Sequence, residues 1–338
     1  MEISDNYSNN TKIALDSVDN FLDQCSQAWQ ESKLVSFPDN YSEIENLVIC
    51  GMGGSALPGY IIKSVFPSKV PLLVRESYDL PNWAGRKTLV LLSSYSGNTE
   101  EILSCAKQAK DRGCLITGMT SGGELEKFLN NDGYPFYSFE PRYNPSNLPR
   151  FGIGYKLFGQ LGILNKLKII DQVIENDFDN LKAYQNEIKD SAMKLAKEVK
   201  EKVLIVFTAD HLVGNGRALA NQINETAKTM AFQAILPSAD HSLIEGFKKS
   251  EGSVAVIFIK SNNYSLRMQE RFSLTRQVIE KEKFATYVYE VKECPLMQEI
   301  METLLFSGFF SVGLAMERGN DPLAIPAVDF IKGNLSSL

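Results

Sequence analysis

The chain has 338 residues, more than one hydrophobic core usually serves, so two domains of about 150 residues each are expected. Its 44% hydrophobic and 22% charged residues are an ordinary globular balance, and a formal charge of −6 without a Lys/Arg-rich run excludes a nucleic-acid surface, where basic side chains cluster on phosphates. Cys25, Cys50, Cys105, Cys114 and Cys294 are odd in number and form no CxxC or Cys/His cluster, which argues against zinc and a disulfide framework and fits a reducing cytoplasm.

In chain order, residues 1–10 are polar and acidic, without the basic segment and apolar run of a secretion signal. A helix is expected over 16–33, then a strand over 46–50 ending at the glycine cluster Gly51 to Gly54. Short apolar runs at 71–74, 88–93, 114–117 and 135–137, bounded by Gly, Pro, Ser or Asp, read as strands, with helices at 55–65, 98–111, 122–130 and 152–165 between them. A long charged helix over 171–200 separates the halves. Strands at 203–208, 231–235, 254–260 and 284–289 then alternate with helices at 214–229, 239–247, 263–282 and 296–317. The most apolar stretch, 304–316, falls short of the roughly 20 residues a bilayer needs and reads as a buried core or interface helix.

Strand-then-helix alternation implies parallel sheets covered on both faces, with ligands beyond the carboxyl ends of the strands. The expected fold class is therefore α/β, with two related doubly wound domains over 1–165 and 166–338. The loops that follow strands are the places to search.

The first such loop, Cys50-Gly-Met-Gly-Gly-Ser-Ala, turns a strand into a helix with glycines where side chains would keep an anion from the backbone. It has three readings at this point: an anion site, a dinucleotide site and a plain tight turn. Gly51, Gly53 and Ala56 also satisfy a relaxed dinucleotide fingerprint, with Glu76 about twenty residues on. The third strand separates them: it runs into Ser93-Ser-Tyr-Ser-Gly-Asn-Thr-Glu-Glu101, a loop that a dinucleotide does not need and a monophosphate does. Hydroxyls of Ser94, Ser96 and Thr99, with the amides near Gly97 and Asn98, can surround phosphate oxygens, each hydrogen bond to the charged group contributing about 1.5 to 3 kcal/mol. The bland alternative is that these hydroxyls only cap the following helix.

The Gly-Met-Gly-Gly-Ser and Ser-Tyr-Ser-Gly-Asn-Thr-Glu-Glu loops resemble the sugar isomerase (SIS) domain. Leu148-Pro-Arg150, Asn221-Gln-Ile-Asn-Glu-Thr-Ala-Lys228, His241 with Ile244 and Gly246, and Asp321-Pro322 with Ile331-Lys332 extend the likeness to the bifunctional phosphoglucose/phosphomannose isomerases. That resemblance implies SIS, flavodoxin-like domains and interconversion of glucose 6-phosphate and/or mannose 6-phosphate with fructose 6-phosphate through a cis-enediol(ate), with no metal or nucleotide cofactor. It further implies that Gly53, Gly54 and Ser55 face the sugar, that Ser94, Ser96 and Thr99 hold the phosphate, and that Glu225 in the second domain is the base. Arg150 would steady the enediolate, and His241 and Lys332 would open the ring. A homodimer is implied too, with His241 reaching the neighbouring subunit's site.

Two departures are visible. The family's usual Asn-His-Asn-Glu-Ile stands here as Asp240-His241-Ser242-Leu243-Ile244, and Leu323-Ala-Ile325 is apolar where members commonly carry a threonine, which bears on the choice between glucose and mannose. A non-catalytic sugar-phosphate sensor on the same fold is the alternative in another class, and Glu225 separates the two, because a sensor needs no base. For Glu225 the bland reading is a surface pair with Lys228 at i,i+3. His211, following the strand at 203–208, is a second candidate imidazole.

Overall fold

The pentapeptide Asn46–Cys50 (β1) has its last four side chains fully buried, so it forms the inner strand of a sheet covered on both faces. The computed structural model describes residues 8–170, 177–248 and 254–335. Leu72–Arg75 (β2) and Thr88–Ser93 (β3) flank β1, and Leu115–Thr120 (β4) and Phe136–Ser138 (β5) follow outward, all parallel in the order β2-β1-β3-β4-β5. Val203–Ala209 (β6), Ala231–Leu236 (β7), Val254–Lys260 (β8) and Ala285–Glu290 (β9) form a second parallel sheet in the order β7-β6-β8-β9. The expected fold class is correct: both units are doubly wound α/β, and the first has the flavodoxin-like order. In each, the winding reverses between the first and third strands, which opens a crevice beyond their carboxyl ends.

Helices Asn9–Asp19 (α1), Phe21–Ser32 (α2), Leu57–Val65 (α3), Glu100–Asp111 (α4), Gly123–Asn131 (α5) and Ile153–Lys166 (α6) belong to the first half. In the second half come Asp177–Ala183 (α7), Gln185–Val199 (α8), Val213–Ala227 (α9), Leu266–Lys281 (α10), Leu296–Glu317 (α11) and Pro326–Leu335 (α12). The two units share one apolar core, with α3 packed on α9 and α1 on α11.

Several expectations are corrected. The opening helix over 16–33 is two helices: α1 begins earlier, capped by the Ser8 hydroxyl, and ends where the Asn20 amide closes on the Asp16 carbonyl. The helix over 171–200 is broken at Tyr184, whose backbone leaves the helical region (φ −122°, ψ 17°); positions 171–176 of that expectation lie outside the described residues. The helix over 239–247 is instead two 3₁₀ turns, Ser238–His241 and Leu243–Gly246, parted by the non-helical Ser242. Helix α12 was not foreseen, and none of its residues is buried.

The run at 304–316 lies within α11, buried from Met297 to Ala315 against α8, α9 and α1. Although α11 is long and apolar enough to cross a membrane, 94% of its apolar window is inside the protein. It is a core helix, which removes it as an interface. Helix α6 is buried over its first twelve residues and packs on α2, α3 and β4. Within that apolar run sit two polar side chains, Lys156 and Gln160, one turn apart.

Candidate active site

The serine-rich loop leaves β3 at Ser93 and enters α4 at Glu100. Ser94, 1% exposed, shares a 2.8 Å hydrogen bond with the Thr99 hydroxyl and accepts one from the Gly97 amide at 3.1 Å. Thr99 is at the cap position of α4, yet its hydroxyl makes no capping bond. Two of the three hydroxyls are thus held against each other across the turn. Helix capping does not explain them. The Asn98 amide donates to Ser96 Oγ at 3.3 Å, and the Asn98 side-chain oxygen accepts from the Glu124 amide at 3.1 Å, which ties the loop to the start of α5. Ser96, Asn98 and Thr99 line a cavity of about 460 Å³, whose opposite wall is α12 with Val328, Ile331, Lys332 and Leu335. Lys332 is solvent-exposed there, across the cavity from the serine-rich loop.

The glycine loop leaves the neighbouring strand β1 and forms the 3₁₀ turn Gly53–Ser55. A Cβ on Gly54 would stand 3.0 Å from Lys156 Nζ and 3.9 Å from the Arg150 Cα, so an alanine there would press on the lysine ammonium. Arg150, in the 3₁₀ turn Pro149–Phe151, is 4% exposed. Its Nη2 donates to the carbonyls of Pro322 (2.8 Å) and Leu323 (2.7 Å), its Nε is buried without a partner, and Nη1 lies 4.0 Å from a Glu225 carboxylate oxygen. Burial draws the guanidinium pKa down, with Glu225 opposing. A buried cation with an unpaired donor and one loosely held counter-charge is ready to meet negative charge on a ligand.

Glu225 rises from the last turn of α9, about a third exposed. It is not paired with Lys228: that residue adopts a left-handed conformation (φ 51°) and donates to the carbonyls of Thr226 and Asp321. The carboxylate is therefore reachable from solvent on one side and braced by Arg150 on the other. Arg150 and Lys228 together anchor the 321–323 segment, which leads into α12.

Lys156 escaped the sequence reading. The residue is 1% exposed, and its Nζ donates to the Gly54 carbonyl at 2.6 Å. A lysine with a glutamine one turn on, inside the largely apolar run IGYKLFGQLGIL, was the available signal.

His241 is not part of this assembly within one chain. It is exposed, and no hydrogen bond or ion pair among the described residues ties it to Glu225, Arg150 or the loops. The carboxylate of Asp240 is taken by Arg271 (2.9 Å) and Thr275 (2.8 Å) on α10. His211 is paired internally, its Nε2 2.6 Å from the buried Glu299, which also accepts from Ser261. Because β6 and β8 hold the places of β1 and β3, His211 and Ser261 stand where the first unit presents its two loops. Here Glu299 fills the crevice instead, so His211 has a structural partner rather than a free edge.

Glu76, the acidic residue of the dinucleotide reading, is bound by Arg217 and accepts the Tyr60 hydroxyl at 2.8 Å. Both partners hold one carboxylate oxygen, which fixes Glu76 between α3 and α9. Among the described residues, no three His, Cys, Asp or Glu side chains converge as a metal site, and no disulfide joins the cysteines, four of which are buried.

Residues 188–335 match the family model described as the bacterial phospho-glucose isomerase C-terminal SIS domain. A bifunctional phosphoglucose/phosphomannose isomerase of Caldicellulosiruptor bescii is 29% identical, over 96% of this chain and 99% of that one. A D-glucosamine-6-phosphate 4-epimerase of Sulfolobus acidocaldarius is 30% identical, over 62% of this chain and 66% of its own. In fold, the chain is similar to the C-terminal domain of glucosamine-fructose-6-phosphate aminotransferase from Francisella tularensis, with a TM-score of 0.72, 12% identity, and 94% and 99% of the two chains covered.

Proposed function

Because the chain belongs to the SIS-domain sugar isomerases of the bifunctional phosphoglucose/phosphomannose isomerase family, we propose that it interconverts glucose 6-phosphate and/or mannose 6-phosphate with fructose 6-phosphate through a cis-enediol(ate). The observation that carries the reading is Glu225 set 4.0 Å from a buried arginine with an unpaired donor. A sensor of sugar phosphates would need the loops alone.

In this reading the phosphate sits at the start of α4, on Ser94, Ser96 and Thr99, where free amides and the helix terminus favour a dianion. Gly53, Gly54 and Ser55 face the sugar carbons. Once the ring is open, the Glu225 carboxylate takes the proton from C2 of the aldose. The C–H electron pair then forms the C1=C2 double bond, and the carbonyl pair moves to O1. Arg150 steadies the negative oxygen while the O2 hydroxyl proton passes to O1; the O2 electron pair then forms the C2 carbonyl, and the C1=C2 pair takes the proton back from Glu225 at C1 to give the ketose. Lys332, across the cavity from Ser96 and Thr99, and a histidine assist ring opening. No step needs a metal or a nucleotide. The boundary between units falls at 165/166, at the end of α6, and a cytoplasmic location suits cysteines that form no disulfide among the described residues.

The test is interconversion of each aldose phosphate with fructose 6-phosphate in a metal chelator and deuterium oxide. Turnover of at least one pair, with deuterium entering at C2, is expected. Tight binding without turnover would leave the sensor reading in its place, and a change of configuration at C4 would move the chain to the epimerase chemistry of its Sulfolobus relative.

Homodimerisation completes the same reading. His241 is exposed in its own chain, and Met230, Phe232, Ile235 and Leu243 are exposed apolar side chains on and beside the edge strand β7 that leads to it. Mixed dimers of Glu225→Gln and His241→Ala chains should regain activity that neither homodimer has, since one site then receives both native side chains. No recovery on mixing, or a fully active monomer in sedimentation, would reject the shared site.

A further inference from the structure

Helix α6 packs on the first sheet with a lysine and a glutamine one turn apart on the same face: Gln160 donates to Ser93 Oγ at the end of β3, and Lys156 to the carbonyl of Gly54 after β1. Each tethers one of the two ligand loops. Lys156 is 1% exposed, and its ammonium has a single hydrogen-bonded acceptor for its three donors. As a structural choice this is costly, because an apolar side chain would serve the packing of α6 without desolvating a charge.

We propose that Lys156 is a positioning residue of the isomerisation: it fixes the glycine turn through the Gly54 carbonyl and supplies, behind that turn, the positive charge that balances Glu225 before proton transfer and the enediolate after it. This inference rests on the isomerase reading above. When Glu225 accepts the substrate proton it becomes neutral, and the negative charge appears on the sugar oxygen. A cation placed near both positions keeps the site balanced throughout. Arg150 does this from the side of the 321–323 segment, and Lys156 does it from the sheet.

Charge accounting around the lysine supports this. The elements packed on α6 carry Asp23, Cys25 and Glu31 on α2, Tyr60 and Lys63 on α3, and Arg150 in the preceding turn, with Glu225 on α9 beyond. Of these, Glu225 is the group that acts on Lys156: burial draws its pKa down to about 7, and the Glu225 carboxylate opposes that fall. Lys156 therefore loses its proton close to neutrality. The sign for stability follows directly. Between pH 7 and the ordinary lysine range near 10.5 the unfolded chain binds the extra proton, so this group's contribution to stability rises with pH over that window, and below it the full burial penalty applies.

Lys156→Met tests the proposal. Its melting temperature at pH 6.5 should equal or exceed that of the natural chain, while kcat falls about 30-fold with KM changed less than about 3-fold. The natural enzyme should lose kcat on an alkaline limb beginning near neutrality, and the variant should lack that limb. Unchanged turnover, or the same limb in the variant, would overturn the proposal. A second measurement needs no variant at this position: lysine labelled with carbon-13 at Cε should show one signal titrating near pH 7, moving lower in Glu225→Gln and shifting when fructose 6-phosphate binds. A midpoint in the ordinary lysine range, or one indifferent to both changes, would overturn it equally. If the natural chain fails to isomerise any of the sugars while that signal behaves as described, the isomerase reading falls and the placement of Lys156 against Glu225 stands.

Discussion

Glu225→Gln is expected to lower kcat by about 10²- to 10⁴-fold, the usual contribution of a positioned acid–base group, while the affinity for fructose 6-phosphate changes little. The amide matches the carboxylate in size and keeps its place beside Arg150 Nη1, so the phosphate loops and the guanidinium still meet the ligand. What it cannot do is accept a proton from one carbon and return it to the next. Deuterium wash-in at C2 should vanish with turnover. Because the side chain is about a third exposed, folding should tolerate the change, and equal melting temperatures would confirm that chemistry alone was removed. Native turnover in this variant would reject Glu225 as the base and leave the loops as a binding module.

Gly97→Ala is expected to have the largest effect on binding. Gly97 has φ +71°, where an L side chain is strained by about 1–2 kcal/mol. The added Cβ would also lie 1.8 Å from the Gly122 carbonyl oxygen, which is backbone and cannot rotate away. The loop or the start of α5 must shift, and with it the Ser94–Thr99 pair and the Leu125 amide bonded to the Gly97 carbonyl at 2.9 Å. A loss of stability on the order of 3 kcal/mol and a KM raised at least about 30-fold are expected. Gly85→Ala is the control: nothing lies within 4 Å of its Cβ position and its φ is not positive, so its melting temperature and KM should stay native. Equal KM values for the two variants would mean that the Ser94 to Thr99 turn does not hold the phosphate.

Much of the fold was legible because its causes are local. Short β-branched and leucine-rich runs bounded by glycine and proline cannot be amphipathic helices, and their regular alternation with longer periodic segments admits parallel sheets and little else. Strands β1, β3 and β8 fall where the apolar runs predict. The errors came where local periodicity is weak or misleading. The turns at 238–246 carry helical composition without the length to propagate a helix, and the breaks at Asn20 and Tyr184 are decided by what the flanking helices pack on. The apolar 304–316 run illustrates the limit: its composition suits a core, an interface or a membrane equally, and only its burial against α8, α9 and α1 makes it core.

For the site the division is similar. Sequence by itself determined that two adjacent strand ends carry a glycine turn and a hydroxyl-rich turn, since each lies within one stretch of chain and needs only strand-to-helix geometry. Tertiary structure decided everything that joins distant segments. It brought Glu225 to Arg150 rather than to Lys228, gave Glu76 to Arg217 and His211 to Glu299, and set Lys156 behind Gly54. The physical reason is that a charge's role depends on which opposite charge it meets and how much water it keeps. Both are properties of packing between segments far apart in the chain, which local residue pattern does not encode.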